Sequence, residues 1–333
     1  MSEKALSAVE AELYDRQIRL WGIESQEKLR AANVLLINCR QLGCEIAKNI
    51  LLSGINSLTI LDDAVVTEED EIRNFFLSSD AIGKKLAEAV LQKAQSLNPL
   101  VKLTADTQNP SEKDVEFYKS FTIIITTIIK TDLLLKLDKI CRSNNVKLIS
   151  GDVFGMFGFS VADFLKHDYY EDRVQMLGKK RSHDGSEKST VQVEGLIEYP
   201  ELNKVLIFPN TKQSVEAIKK TRRRNELFFL MLVLLEFRNE NARNPEITSK
   251  EEDIQKLKII KNSIVELYKV KENVFEDALF ELIFGEVVPV CAILGGVIAQ
   301  EVIKAVSHKE VPINNIFLLD PVTYNGKEEC IGA

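Results

Sequence analysis

The turn after the first predicted strand has the spacing of a phosphate-binding loop but lacks its glycines. A strand is predicted at 34–38, a helix at 44–54 and a second strand at 57–62, which is the order of a nucleotide-binding unit. A working dinucleotide site has Gly-x-Gly-x-x-Gly between the first strand and the helix, because glycine lets the backbone approach the phosphates. This chain has NCRQLG at 38–43, in which only Gly43 remains.

These substitutions predict that the chain itself binds no nucleotide. Asn38, Arg40 and Gln41 break the loop pattern, and Arg40 would place a long side chain where the pyrophosphate belongs. Asp62 has the position of a ribose-binding acid, and without the loop we expect it to be a solvated turn residue. We therefore predict no useful ATP or NAD affinity and no metal site in this chain.

The segment YDRQIRLWG at 14–22 carries the second group of residues that could take part in chemistry. It contains Arg16, Arg19 and the single tryptophan of the chain, Trp21, and it precedes the first strand. Arginines on such a helix are usually surface groups. A guanidinium binds phosphate oxygens in a bidentate manner, so an arginine here could reach the phosphates of a neighbouring chain.

The cysteines and histidines predict no nucleophile. No cysteine lies between Cys141 and Cys291, so the central region cannot supply a thioester nucleophile, and Cys291 is predicted to be a core residue. His167, His183 and His308 belong to no triad-like signature and are predicted at the surface. No C-x-x-C pair is present, which excludes zinc-ribbon spacing.

Composition and charge narrow the class of protein. The chain has 333 residues, 45% of them hydrophobic, enough for one large domain or two ordinary ones. Its net charge of −7 argues against nucleic acid as the main partner. Five cysteines without a secretory N-terminus predict a reducing interior, and no apolar run reaches the roughly 20 residues of a membrane helix. We expect a soluble intracellular protein. The basic residues at 179–181 indicate an import signal or, as we favour, a solvated loop.

Alternating strands and helices predict an α/β fold with a Rossmann-like, mostly parallel sheet. Further strands are predicted at 101–106, 121–127, 146–150, 205–209 and 315–320, with two more around a glycine-rich bend at 151–164. Helices are predicted at 8–31, 83–99, 131–145 with Thr131 as cap, 227–238, 249–269 with a capping box at Ser249, and 289–306. Residues 62–71 are predicted to be loop and 172–190 to be polar and mobile.

The same pattern divides the chain into four parts. Residues 1–165 form the N-terminal helix and the first part of the nucleotide-type domain, and residues 166–204 a polar, flexible insertion. Residues 205–288 form an inserted region, helical over 215–284. Residues 289–333 return to complete the first domain with a helix and strands.

Several long motifs resemble one protein family. These are YDRQIRLWG, RAANVLLIN, EIAKNILLSGI, LTILDD, GDVFG and PVCAILGGVIAQEVIKA. In this order they are similar to the smaller subunits of the SUMO-activating enzymes, which belong with the MoeB- and ThiF-like adenylating proteins and the ubiquitin-type activating enzymes. The likeness runs from Glu12 to Gly332. The first and last motifs are specific, whereas the strand–helix–strand pattern alone is not.

The resemblance implies an inactive adenylation domain that works beside a larger partner. In this family the large subunit binds ATP and Mg²⁺, adenylates the C-terminal glycine of the modifier, here SUMO, and captures it on a cysteine. Arg16 then resembles the arginine that enters the partner's site and contacts the ATP phosphates. Tyr14, Asp15 and Trp21 would lie at the heterodimer interface. The family's Asn-x-x-x-Arg-Gln stretch is unrecognisable at 71–77. A nuclear location, possibly shared with the cytoplasm, goes with this role.

Three other interpretations remain. One is the equivalent subunit for another modifier, of the neddylation type. That subunit is a longer chain with a larger insertion, so a length of 333 residues argues against it. A nicotinamide-dependent oxidoreductase needs an intact glycine loop and explains neither the first nor the last motif. A scaffold without contact to an active site differs from the leading hypothesis only in the role of Arg16.

Overall fold

The computed structural model describes residues 7–176, 188–209 and 225–332. Its helices are α1 (Ala8–Leu13), α2 (Asp15–Trp21), α3 (Ile23–Ala31), α4 (Gln41–Ser53), α5 (Glu68–Arg73), α6 (Leu86–Ala89), α7 (Leu91–Leu97), α8 (Val115–Tyr118), α9 (Thr131–Ser143), α10 (Leu202–Val205), α11 (Glu226–Asn241), α12 (Lys250–Tyr268) and α13 (Val288–Ser307). Its strands are β1 (Asn33–Ile37), β2 (Ser57–Leu61), β3 (Lys102–Asp106), β4 (Ile123–Thr127), β5 (Lys147–Phe154), β6 (Phe157–Asp163), β7 (Lys166–Met176), β8 (Lys188–Glu198), β9 (Ile316–Leu319) and β10 (Gly326–Glu329).

An eight-stranded sheet forms the centre of the fold, in the order β10-β9-β6-β5-β4-β1-β2-β3. Five of these strands pair in parallel, namely β5, β4, β1, β2 and β3. In the middle of this group, Val34 of β1 lies beside both Leu58 and Ile123. The strands β6, β9 and β10 follow in antiparallel pairing. The predicted α/β fold with a mostly parallel sheet is confirmed.

Helices cover both faces of the sheet, which explains its continuously apolar strands. In β1, Leu36 belongs to a core cluster that includes α4 and α13, and Leu35 to a second cluster that includes α11 and α12. Successive side chains of a strand point to opposite faces, so a strand covered on both sides needs apolar residues throughout. The helices of the central region therefore lie on the sheet as its second layer.

The last helix and strands complete the same sheet. β9 pairs with β6, and α13 packs on α4 so closely that a Cβ added to Gly295 would lie 2.7 Å from the Cβ of Glu45. Contrary to the sequence prediction, α13 is long and apolar enough to cross a membrane. In this fold, however, 61% of its most apolar stretch is buried, so its composition follows from its packing against α4 and the sheet.

The N-terminal third differs from the sequence prediction at three places. The single helix predicted at 8–31 is three helices, because Tyr14 ends α1 and Gly22, with a φ of 88°, ends α2. The loop predicted at 62–71 contains the start of α5, where Thr67 and Asp70 form a capping box. The helix predicted at 83–99 is the two short helices α6 and α7.

The polar insertion predicted at 166–204 contains a regular β-hairpin. β7 and β8 pair over eleven residues each and form a separate two-stranded sheet. Polar residues concealed these strands, because the inward positions include the buried His167 of β7 as well as the half-buried Ile197 of β8, so the sequence lacks a regular hydrophobic alternation. Residues 177–187, with the basic group at 179–181, lie outside the described residues. The strand predicted at 205–209 is wrong, since α10 ends at Val205 and non-strand residues follow.

Two predicted helix caps are also wrong. Thr131 is the first residue of α9 and Lys130 is its N-cap. Ser249 precedes α12, but its hydroxyl donates a hydrogen bond to Asp253 instead of capping the helix. Within the predicted helical stretch 215–284, residues 225–268 contain α11 and α12. The following residues are mainly irregular, and residues 215–224 lie outside the described part of the chain.

Candidate functional site

The degenerate loop lies where an α/β sheet binds nucleotides. β1 has β2 on one side and β4 on the other, so the strand order reverses between β1 and β4. Ligands of open α/β sheets bind outside the carboxyl ends of the strands at such a point. The loop at 38–43 leaves β1 there and enters the first turn of α4.

Asn38 links the two loops that border this crevice. Its backbone is left-handed, with a φ of 66°, and its side-chain amide donates to the carbonyl of Thr127 at 2.6 Å. The hydroxyl of Thr127 donates back to the Asn38 carbonyl at 3.1 Å. A Cβ at Gly43 would overlap this same carbonyl, so the remaining glycine permits the close approach of helix and strand. Asn38 therefore spans the crevice instead of leaving it open to a phosphate.

Asp62 binds the loop and is not the solvated acid that the sequence predicts. Its carboxylate is buried and accepts hydrogen bonds from the backbone N–H of Cys39 at 2.8 Å and of Ala64 at 2.9 Å. Burial raises the pKa of Asp62, while these hydrogen bonds and the charge of Arg40 lower it. The acid at the ribose position is thus engaged by the chain's own backbone.

Asn74 holds the loop from the opposite side. It lies in the stretch 71–77, is fully buried, and its side-chain amide donates to the carbonyl of Cys39 at 2.8 Å. Its side-chain oxygen accepts the N–H of Phe76. Asn74 therefore supports the altered loop from the stretch in which the family's ATP-contact motif is unrecognisable.

Arg40 is directed towards α5. Its guanidinium lies 2.9 Å from the carboxylate of Asp70, which is buried and also closes the capping box with Thr67. Two further arginines beside the crevice are paired as well, Arg73 with Glu69 and Arg243 with Asp253. The arginines that line the crevice are therefore paired with carboxylates of this chain, and the described lining residues offer a triphosphate no unpaired cation.

Despite these contacts, the crevice contains a cavity of about 360 Å³. Gln41 lines this cavity with a buried amide for which the described residues offer no hydrogen-bond partner. Glu286 lines it too, and burial raises its pKa to about 7. These groups can hydrogen-bond a small polar molecule, but they do not form a phosphate cradle.

Arg16 is exposed on α2, outside the crevice. It has no hydrogen bond and no ion pair with any residue in the described ranges, whereas Arg19 on the same helix lies 3.1 Å from the Asp15 carboxylate. Asp15 is exposed and Trp21 half-buried, with its indole N–H donating to Gln26 at 3.1 Å. The guanidinium of Arg16 is therefore available to a second molecule.

Tyr14 attaches this segment to the domain. Its side chain is only 3% exposed, its hydroxyl accepts a hydrogen bond from Asn98 at 2.9 Å, and its ring packs directly on Gly54. Tyr14 is therefore an anchor within this chain, two residues before Arg16, and its contact with a partner stays a prediction.

The cysteines and histidines form no reactive site in the described residues. Cys291 is buried in the core as predicted, and burial raises the pKa of its thiol. His167 contradicts its predicted surface position, since it is 1% exposed and its ring centroid lies 4.7 Å from that of His308. His183 lies outside the described part. No group of three or more His, Cys, Asp or Glu side chains there could hold a metal ion.

Fold and site together define a doubly wound α/β protein. The loop groups at its nucleotide crevice are already hydrogen-bonded to other residues of the chain. The chain belongs to the ThiF family, whose sequence pattern matches residues 14–331. It is 36% identical to SUMO-activating enzyme subunit 1 of Xenopus tropicalis over 99% of this chain and 98% of the relative. It is 36% identical to the Homo sapiens protein of that name, covering 98% and 96% of the two chains. For the Danio rerio protein the identity is 35%, covering 96% and 94%.

Proposed function

We propose that this chain is the small subunit of a heterodimeric SUMO-activating enzyme and that it places Arg16 at ATP bound by the large partner subunit. The near full-length similarity to SUMO-activating enzyme subunits 1 supports the role in the enzyme. The observation that carries the role of Arg16 is its exposed guanidinium, without a partner in the described residues, on an anchored segment. The isolated chain is then inactive, because the hydrogen bonds of Asn38 and Asp62 engage the loop that would have to bind the nucleotide.

The proposed chemistry uses Arg16 as a fixed positive charge. Adenylation of a modifier's C-terminal carboxylate displaces pyrophosphate, and negative charge grows on that leaving group. A guanidinium held against it stabilises the transition state more than the ground state, as arginines supplied by a second chain do in other phosphoryl transfers. ATP and Mg²⁺ belong to the large subunit in this proposal, and SUMO is the protein substrate. We place the complex in the nucleus, possibly also in the cytoplasm, without nucleic acid or membrane as partners.

The anchors around Tyr14 give Arg16 the fixed position that such a role requires. Tyr14 is held by Asn98, and the side chain of Gln17 donates to the Leu52 carbonyl at 3.2 Å. These contacts connect both ends of the first turn of α2 to the domain. A charge that stabilises a transition state is effective only when it is positioned before the reaction.

The test compares Arg16→Ala with Arg19→Ala in the complex with the large subunit. We expect Arg16→Ala to slow SUMO-dependent pyrophosphate exchange by about 10²- to 10³-fold, as loss of one transition-state donor does, while the heterodimer stays intact. Arg19 lies on the same helix but is paired with Asp15, so its removal controls for a general loss of charge. Exchange at the wild-type rate by the Arg16→Ala complex would refute the role of Arg16 and favour a scaffold.

A further inference from the structure

Helix α2 is too short and too exposed to be stable by its own packing. It spans seven residues, and none of its side chains is buried. Isolated helices of that length are not stable in water. Within the described chain it is held by Tyr14, by Gln17 and by Trp21, which packs on the core. Its outer face, with Arg16 and Leu20, remains available to a second molecule.

The outer face of α2 combines Arg16 with exposed leucines. Leu20 follows Arg16 by four residues, so the two side chains project from the same side of the helix, and Leu20 is 73% exposed. Leu13 precedes Arg16 by three residues and is 50% exposed. The junction at Tyr14 is nearly helical, with φ −100° and ψ 16°, so Leu13 lies about one turn before Arg16. The unpaired guanidinium thus has an exposed leucine on each side along the helix.

This arrangement differs from ordinary exposed apolar residues. Single exposed leucines are common on protein surfaces and need no explanation. Here two of them flank a guanidinium that has no anion among the described residues, while Arg19 nearby is paired with Asp15. Interfaces are enriched in arginine, and their centres are apolar. A partner surface complementary to this face would have an anionic group with apolar contacts on both sides.

We propose that Leu13 and Leu20 form the apolar contact through which the large partner subunit binds α2 and fixes Arg16 at its nucleotide. The inference rests on the proposed function, because bound phosphates supply the anion between the two apolar contacts. Leu20 is a positioning residue, since it touches neither ATP nor the modifier. Its burial in the complex would add a contact on the outer face of α2 to the anchors at Tyr14 and Gln17 on the inner face.

The experiment titrates small-subunit variants into the large subunit and measures both affinity and pyrophosphate exchange. For Leu20→Ala we expect the heterodimer Kd to rise about 10- to 30-fold, the loss for a largely buried leucine. At saturating small subunit we expect kcat to remain several-fold reduced, which a purely adhesive contact would not cause. Leu20→Met should restore both values. Leu196→Ala, which truncates a 54% exposed leucine on β8, should change neither.

The outcomes separate this inference from the proposed function. Unchanged Kd and kcat for Leu20→Ala, with slow exchange for Arg16→Ala, would overturn the inference and leave the proposed function standing. Weak binding by Leu20→Ala with normal exchange by Arg16→Ala would support the contact and overturn the role of Arg16. Sedimentation of the small subunit alone decides a third case: a dimer that Leu20→Ala abolishes would make a second copy the occupant and overturn the inference.

Discussion

Gly54→Ala tests whether the packing of Tyr14 holds the segment that presents Arg16. Gly54 ends α4 in the left-handed region, with a φ of 80°, and a Cβ there would lie 2.5 Å and 2.6 Å from two ring carbons of Tyr14. It would also lie 2.9 Å from the amide nitrogen of Gln26. The substitution therefore adds both backbone strain and a collision with the anchor.

The two contributions can be separated by a matched variant. A left-handed alanine costs about 1–2 kcal/mol, and overpacking against an immobile ring costs about 1–3 kcal/mol more. Gly83 has a similar φ of 83° with no atom within 4 Å of its added Cβ. Gly83→Ala should therefore show the backbone cost alone, and Gly54→Ala a total of about 2–5 kcal/mol.

Urea unfolding gives the free energies, and hydrogen exchange of the amides in α1 and α2 locates the damage. The new methyl group could instead push the Tyr14 ring out of its site. The loss in free energy of unfolding would then stay near that of Gly83→Ala, but amide hydrogen exchange in α1 and α2 would accelerate. Pyrophosphate exchange by the complex should then fall as well, because Arg16 loses its fixed position. Equal free energies for the two variants, with unchanged protection of α1 and α2, would refute the anchoring role of Tyr14.

Two further predictions follow from the crevice and from His167. The isolated chain should bind no ATP in calorimetry, because Asn38 and Asp62 engage the loop, and micromolar binding would contradict that account. Burial lowers the pKa of His167 to about 3, so its proton is bound more tightly in the unfolded chain, and stability should fall as pH drops from about 6.5 towards 3. His167→Phe should remove a slope of up to about 1.4 kcal/mol per pH unit there. A wild-type slope identical to that of His167→Phe in urea unfolding between pH 5 and 6.5 would show that His167 does not titrate in this way.

The sequence was most informative where one local pattern decides the structure. The apolar runs of β1 and β4 predicted buried parallel strands, and the missing glycines predicted an altered loop. It was least informative where contacts between distant residues decide. Asp62 reads as a turn acid until the fold brings it against the N–H of Cys39, and His167 reads as a surface residue until β7 carries it beside His308. Neither contact leaves a signal at short sequence separation.

For the N-terminal segment, the residue types predicted a helix with arginines. They did not predict which side chain faces inward. Only the structure distinguishes Tyr14, fixed on Gly54 and Asn98, from Arg16 two residues later, which faces solvent. A motif with several polar and aromatic residues therefore divides into an anchor and a free group, and this division could not be derived from spacing alone.

The loss of the nucleotide site is distributed over several elements and is not a property of the loop alone. The Cys39 N–H donates to Asp62 and the Cys39 carbonyl accepts from Asn74, while the Asn38 side chain donates to the Thr127 carbonyl across the crevice. Each hydrogen bond contributes about 1 kcal/mol, and a buried group left without its partner costs about 1–3 kcal/mol. A phosphate would have to displace these contacts before it gained its own. Glycine at position 40 would free space but would break none of these hydrogen bonds, because their partners are Asp62 after β2, Thr127 on β4 and Asn74 in the 71–77 stretch. The fold retains its crevice because the sheet and both core clusters need the strands that form it.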